Sequence, residues 1–183
     1  MRLMTNSRCF ASVMLIMACI SAAQAASNVV GWGANLGGGL DAPDGEYIIA
    51  AAGYHRSVGL LSDGTIAAWT SSWPAPAGTF IAVDVGYSSY VAIRADGTAV
   101  CWGDGGPCIG RGTFTAVSLS RHCVLAIRTD GTLAEWDEVG GLGVPGGTFR
   151  AVSAGIETSH LLALGTDGTL VAWGDNRYGQ CDV

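Results

Sequence analysis

Short apolar runs alternate with turn residues along most of the chain. A representative unit opens with the Pro/Gly turn 76–79 and continues into the apolar runs Phe80–Val83 and Tyr90–Ile93, and a third run ends in a tryptophan. Apolar runs of this length between turn residues predict β-strands, since helices usually need about ten residues or more. Helical periodicity is missing after residue 26, so the pattern predicts an all-β chain.

The unit recurs with a period of 33 to 37 residues. Asp-Gly-Thr occurs four times, and a tryptophan follows each Asp by six residues. The aspartates are Asp63, Asp96, Asp130 and Asp167. The tryptophans are Trp69, Trp102, Trp136 and Trp173, and Trp32 ends a partial unit before them. Asp-Gly between apolar runs predicts a hairpin with a type I′ turn, whose two central residues both have positive φ. The tryptophans at this repeated position are expected in the core.

Such a unit cannot bury both of its faces alone, whereas units stacked around an axis bury each other. The repeat therefore predicts a β-propeller with four complete repeats plus one partial strand. The complete units span about 43–70, 76–103, 111–137 and 145–174, with a partial unit at 28–33 and a tail at 175–183. We expect an incomplete propeller whose open blade edges favour self-association.

The N-terminus has the three-part pattern of a secretory signal peptide. Arg2 and Arg8 precede the uncharged run 9–20, and Ala23-Gln24-Ala25 offers small residues for cleavage. The run is shorter than the roughly 20 apolar residues that a membrane-spanning helix needs. We expect a signal peptide at 1–25, cleavage near Ala25, export of residues 26–183 to the periplasm or the exterior, and no membrane span.

Export makes disulfides possible. Cys101 and Cys108 flank a Gly/Pro-rich loop and are close enough in sequence to form a bridge across a tight turn. The alternative is that each is a small buried apolar residue.

Composition and charge exclude several classes of function. The chain has 9 cationic and 15 acidic residues, and its formal net charge is −6. Nucleic-acid binding requires clustered cationic side chains, so none is expected. The repeated aspartates are explained by turn chemistry. The three histidines, His55, His122 and His160, lie in different units. We therefore predict no catalytic residue, metal site or cofactor.

Loop residues are the stronger indication of function. Tyr54 and His55 follow Gly53, Tyr87 follows Gly86, and Arg121 and His122 follow Ser120, each between the first two strands of a unit. Trp73 lies in a Pro-rich loop outside the tryptophan repeat. Exposed Trp, Tyr and Arg side chains commonly anchor protein interfaces. We hypothesise a partner-binding site made of Tyr54, His55, Trp73, Tyr87, Arg121 and His122. The alternative is that these loops pack only over their own blades.

The last unit carries a family pattern. From Phe149 it reads Phe-x-Ala-Val-x-Ala-Gly, and from Leu161 Leu-x-Ala-Leu-x-x-Asp-Gly-Thr-Leu-x-Ala-Trp-Gly-Asp-Asn-x-x-Gly-Gln. This resembles the regulator of chromosome condensation repeat, with His160 at the family's His position. The other units have Arg56, Ser89 and Cys123 there. The resemblance implies a seven-bladed propeller, of which this chain supplies four units, and export suggests the bacterial branch that includes a β-lactamase-inhibitory propeller.

These observations predict an exported, non-enzymatic module that presents propeller loops to an unknown partner protein. The resemblance implies one alternative, an enzyme inhibitor of the β-lactamase type. It also implies a second, a regulator resembling guanine-nucleotide exchange factors, which export and the acidic charge disfavour.

Overall fold

The computed structural model describes residues 29–32, 38, 40–69, 72–104, 111–137, 143–155 and 160–183. The predicted signal peptide lies outside this part of the chain. Regular structure within it consists of twelve strands in four three-stranded antiparallel sheets, which confirms the all-β propeller fold. None of these described ranges contains a helix with the length and apolar character needed to span a membrane.

Each sheet is one blade, with its strands in chain order. Blade 1 contains β1 (Tyr47–Ala52), β2 (Ser57–Leu61) and β3 (Ile66–Trp69). Blade 2 contains β4 (Phe80–Val85), β5 (Ser89–Arg94) and β6 (Ala99–Gly103). Blade 3 contains β7 (Phe114–Leu119), β8 (Cys123–Arg128) and β9 (Leu133–Asp137). Blade 4 contains β10 (Phe149–Ala154), β11 (His160–Gly165) and β12 (Leu170–Gly174).

The blades stack face to face through their apolar side chains. The first strands β1, β4, β7 and β10 contact one another in that order. Between blades 1 and 2, Val58 and Leu60 pack against Val83, Val85 and Tyr90 in one buried cluster. Similar clusters join blade 2 to blade 3 and blade 3 to blade 4. Each blade thus buries a face that it could not bury alone.

The Asp-Gly-Thr turn joins the second and third strands of each blade, as predicted, but the predicted turn type is wrong. In blade 1 the Gly64 N–H donates to the Leu61 carbonyl at 2.9 Å, so the turn is centred on Ser62 and Asp63. Gly64 follows with φ of +84°. This is the three-residue hairpin loop that ends in a left-handed glycine. The equivalent hydrogen bond occurs in the other three blades.

The repeated aspartates are held within these turns. Asp63 Oδ1 accepts hydrogen bonds from Thr65 N at 2.8 Å and Thr65 Oγ1 at 2.7 Å. These bonds keep the pKa of Asp63 below its ordinary value. Asp96, Asp130 and Asp167 make the same pair of bonds and also have lowered pKa values. Turn formation therefore accounts for all four carboxylates.

The four tryptophans that follow these turns differ in burial from Trp32 of the partial unit. Trp69 is buried, and Trp102, Trp136 and Trp173 are half-buried against the clusters between blades. Trp32 is 76% exposed, and residues 29–32 form no strand. The expectation of a core position is therefore wrong for Trp32, because no described strand pairs with this segment to cover the ring.

Cys101 is disulfide-bonded, and Cys108, the partner predicted for it, lies outside the described residues. The Cys123 thiol lies 3.3 Å from Ser120 Oγ, which makes a hydrogen bond to it. This contact lies at the start of β8, beside the loop that carries Arg121 and His122.

Candidate functional site

The loops that follow the first strands approach their neighbours very closely. A Cβ atom on Gly53 would lie 2.4 Å from the Gly86 carbonyl oxygen, and one on Gly86 would lie 2.6 Å from the Ser120 carbonyl oxygen. Both distances are too short for a real contact, so only glycine allows this spacing. The side chains of three successive loops are thereby brought within reach of each other.

Replacing Gly86 with alanine should force blades 2 and 3 apart at this end. We expect a loss of about 1–3 kcal/mol in the free energy of unfolding, because the added methyl group has no space beside backbone atoms. Urea denaturation followed by tryptophan fluorescence measures this loss. Gly146→Ala is the matched control, since a Cβ there meets nothing within 4 Å. Equal effects of the two substitutions would contradict the close approach.

Four side chains from these loops form one continuous stack, which we call the aromatic ladder: Arg121, Tyr87, Tyr54 and His55. The Tyr54 and Tyr87 rings stack with centroids 4.6 Å apart and an interplanar angle of 25°. Arg121 Cζ lies 4.6 Å from the Tyr87 centroid, and the His55 ring lies 4.0 Å from that of Tyr54. The ladder crosses blades 3, 2 and 1, and Tyr54 is 49% exposed.

The ladder accounts for four of the six predicted site residues. His122 is exposed and adjoins Arg121 in the chain. Trp73 lies in a separate contact, where its ring is 4.6 Å from Arg56 Cζ. Arg56 also donates a hydrogen bond from Nη1 to the carbonyl of Ser88, the residue after Tyr87. Arg56 thus connects the half-buried Trp73 to the loop that carries Tyr87.

A carboxyl group that the sequence patterns did not select lies at the interface of blades 2 and 3. Asp84 Oδ2 accepts hydrogen bonds from Leu119 N at 2.8 Å and Ser118 Oγ at 3.1 Å, and Asp84 Oδ1 accepts one from Val85 N at 2.9 Å. Asp84 as a whole is half-buried, but its carboxyl group is removed from solvent. Burial raises the pKa of Asp84 to about 6, although the three hydrogen bonds act in the opposite direction.

The polar contact continues into blade 4, because Ser118 Oγ accepts a hydrogen bond from Ala154 N at 3.1 Å. Asp84 and Ser118 occupy the same position in successive repeats. A polar residue at this position of an otherwise apolar first strand is the signal from which the contact could have been suspected. The two donors from blade 3, Ser118 and Leu119, lie 34 and 35 residues from Asp84, so the sequence alone does not identify them.

One segment of the chain matches a known family of repeats. Residues 149–180 match the model of the regulator of chromosome condensation (RCC1) repeat. This segment of the chain is similar to the RCC1 repeat. Comparison with curated protein sequences finds no match.

Solved propellers share the fold at low sequence identity. The chain is similar to the CRINKLY WD40 ectodomain of the Arabidopsis thaliana receptor kinase ACR4, at 18% identity and TM-score 0.61 over 71% of this chain and 50% of that one. It is similar to Prp20p from Saccharomyces cerevisiae, at 15% identity and TM-score 0.58 over 72% and 46%. It is also similar to the computationally designed Ika4 protein, at 21% identity and TM-score 0.51 over 73% and 94%.

The chain therefore spans about half the length of the two natural propellers. Within the segment that matches the RCC1 repeat, His160 does not join the ladder. A Cβ on Gly155 would lie 2.3 Å from His160 Cε1, so the imidazole is packed against Gly155. In the part of the chain that the structure describes, no three His, Cys, Asp or Glu residues are grouped as metal ligands.

Proposed function

We propose that the aromatic ladder binds a partner protein, and that the chain is an exported, non-enzymatic interaction module. The observation that carries this proposal is the continuous stack from Arg121 to His55 across three blades. Loops that packed only over their own blades would not place these side chains in contact with those of the next blade.

The ladder has the physical properties of a binding surface. Tyrosine supplies a large amphipathic contact area, and its hydroxyl group can pair with a polar partner. Stacking holds Tyr54 and Tyr87 in place before binding, so little side-chain entropy is lost when a partner docks. Arg121 adds a planar cation with several hydrogen-bond donors.

Structural neighbours support an interaction role of this general kind. Prp20p was studied for its binding to Gsp1p and histones, and yeast RCC1 (Prp20) was crystallised bound to Kap60. The repeated aspartates offer no catalytic pair, since each accepts two hydrogen bonds within its own turn. A module that acts through its loops is the function consistent with both observations.

The double substitution Tyr54→Ala/Tyr87→Ala should weaken partner binding by at least about 2 kcal/mol, or roughly 30-fold in Kd. Removing both rings eliminates the centre of the ladder while leaving the apolar clusters between blades intact. The partner is first captured on the immobilised wild-type protein, and its affinity for each variant is then measured by calorimetry. Tyr178→Ala is the control, because Tyr178 is 87% exposed in the C-terminal tail.

Binding by the double variant that equals wild-type binding, with both proteins folded by circular dichroism, would refute the ladder as the interface. A panel of purified β-lactamases tests the narrower inhibitor function in the same experiment. Inhibition that is lost in the double variant would assign that function, and absence of inhibition by the folded protein would remove it.

A further inference from the structure

We propose that Asp84 is a positioning residue for the aromatic ladder and that its ionisation sets the contact between Tyr87 and Arg121. The importance of this coupling for binding rests on the proposed function. The coupling itself is a property of the free protein and is tested without a partner.

Asp84 is closely connected to both loops that carry the central pair of the ladder. It lies three residues before Tyr87 on one blade, and it binds Leu119, two residues before Arg121, on the next. The two loops also meet where Gly86 faces the Ser120 carbonyl oxygen. A change in the length of the bond from Asp84 to Leu119 is therefore transmitted to the Tyr87–Arg121 contact through only a few residues.

Residues at the equivalent position of other first strands differ from Asp84 in their capacity to accept hydrogen bonds. In blade 1 this position is Ala51, whose side chain has no hydrogen-bond acceptor. The Val85 N–H of blade 2 donates instead to Asp84 of its own blade. Blade 3 has Ser118, a neutral acceptor for Ala154 N. Within these described strands Asp84 supplies the one ionisable acceptor at this position, and it serves donors from two blades.

Ionisation changes the strength of these bonds. Hydrogen bonds to a carboxylate are roughly twice as strong as those between neutral groups. Protonation converts one carboxylate oxygen into a hydroxyl donor and weakens the attraction for Leu119 N and Ser118 Oγ. We therefore expect the Tyr87–Arg121 contact to be tighter when Asp84 is charged and looser when it is neutral.

Among the described residues, no charged group shifts the pKa of Asp84. Strands β1, β2, β5 and β7 pack against β4. Their charged or titratable residues are Tyr47, Tyr90 and Arg94. Tyr47 bonds to the Pro43 carbonyl and Arg94 to the Ala77 carbonyl, both at the opposite end of the blades. The loops at the ladder end contribute His55, Arg56, Arg121 and His122. Burial is the largest influence on the pKa of Asp84, and no charge appears among its causes.

The test observes the ladder directly by NMR. Protein labelled with ¹³C in the tyrosine rings is titrated from about pH 7.5 to about pH 4.5, with Tyr54 and Tyr87 assigned by substitution to phenylalanine. A His55→Asn/His122→Asn background removes both imidazoles from the ladder loops, so that the Tyr ring signals report on Asp84. We expect the Tyr87 ring signals to shift with a midpoint near pH 6, together with the side-chain carboxyl signal of Asp84 in ¹³C-Asp protein.

Two variants separate positioning from a merely structural role. Asp84→Asn should abolish the transition of the rings. Ser118→Ala retains the carboxyl group but removes one donor to its charged form, so the midpoint should move to higher pH. If Asp84→Asn does not fold, the coincidence of the ring and carboxyl titrations in the starting protein, and the shift in Ser118→Ala, decide the question.

Ring signals that remain constant while the Asp84 carboxyl group titrates would overturn the proposal, as would an unchanged transition in folded Asp84→Asn. A ladder that titrates with Asp84 but contributes nothing to partner binding would refute the proposed function and leave the coupling intact. Partner binding that depends on the ladder, in a protein whose ring signals do not titrate, would support the proposed function and refute the coupling.

Discussion

Replacing Phe114 with alanine should lower the free energy of unfolding by about 3–5 kcal/mol, the largest effect that we expect from a single side chain. Phe114 is 1% exposed and packs with Ile93, Ala126 and Ala134 between blades 2 and 3. Its ring is also nearly perpendicular to that of Trp136, with an interplanar angle of 85° and centroids 5.2 Å apart. Truncation removes buried apolar area and leaves a cavity that the two rigid sheets cannot close.

Equilibrium denaturation in urea measures this effect. Ile81→Ala is a suitable comparison, because Ile81 is an apolar residue of a first strand that is 46% exposed, and its loss should cost less than about 1 kcal/mol. A cost below about 1 kcal/mol for Phe114→Ala as well would mean that the face between blades 2 and 3 is not packed as described.

Stability should depend on pH through Asp84, and in the direction opposite to most acidic residues. The folded-state pKa of about 6 lies above the ordinary value of 3.8. Folding therefore favours the protonated form, and the resulting stability is fully present below about pH 3.8 and lost as the pH rises through about 6. Relative to Asp84→Asn, the wild-type protein should lose up to about 3 kcal/mol across this range. This is an upper limit, since the residue is half-buried.

Urea denaturation of both proteins at several pH values tests this dependence. Asp63→Asn serves as a control of opposite sign, because the lowered pKa of Asp63 makes its contribution disappear as the pH falls rather than as it rises. A difference between wild type and Asp84→Asn that is constant with pH would contradict the burial of the carboxyl group. Greater overall stability at low pH is compatible with a looser ladder, since the first reflects solvation and the second reflects hydrogen-bond strength.

Local patterns predict the blades because strands and hairpins depend mostly on residues that are neighbours in the chain. The spacing from Asp63 to Trp69 and its three repetitions were sufficient for the hairpin, the blade and the stacking of blades. The type of turn was not predictable in this way. A type I′ turn and a three-residue loop both place a glycine such as Gly64 at positive φ, and they differ in whether Leu61 or the following residue accepts the closing hydrogen bond.

The repeat also placed Tyr54, Tyr87 and Arg121 at matching loop positions, each between the first two strands of its unit. Their stacking depends on the distance between blades, which the close contacts of Gly53 and Gly86 set. Trp32 shows the limit of such matching. It has the flanking residues of the repeat, but burial requires a neighbouring sheet, and its segment has no described partner strand.

The contacts that Asp84 and Arg56 make with other blades and loops are decided by the tertiary structure. In the sequence, Asp84 is one polar residue in an apolar strand, and Arg56 replaces a histidine of the repeat. The raised pKa of Asp84 arises because folding excludes water from its carboxyl group. Two of its three hydrogen-bond donors, Ser118 and Leu119, come from a strand about 35 residues away. Arg56 gains its role from Trp73 and Ser88, which reach it from different loops. Strand and turn formation is decided by short-range preferences along the chain, whereas the pKa of Asp84 and the contacts of Arg56 arise only where the blades meet.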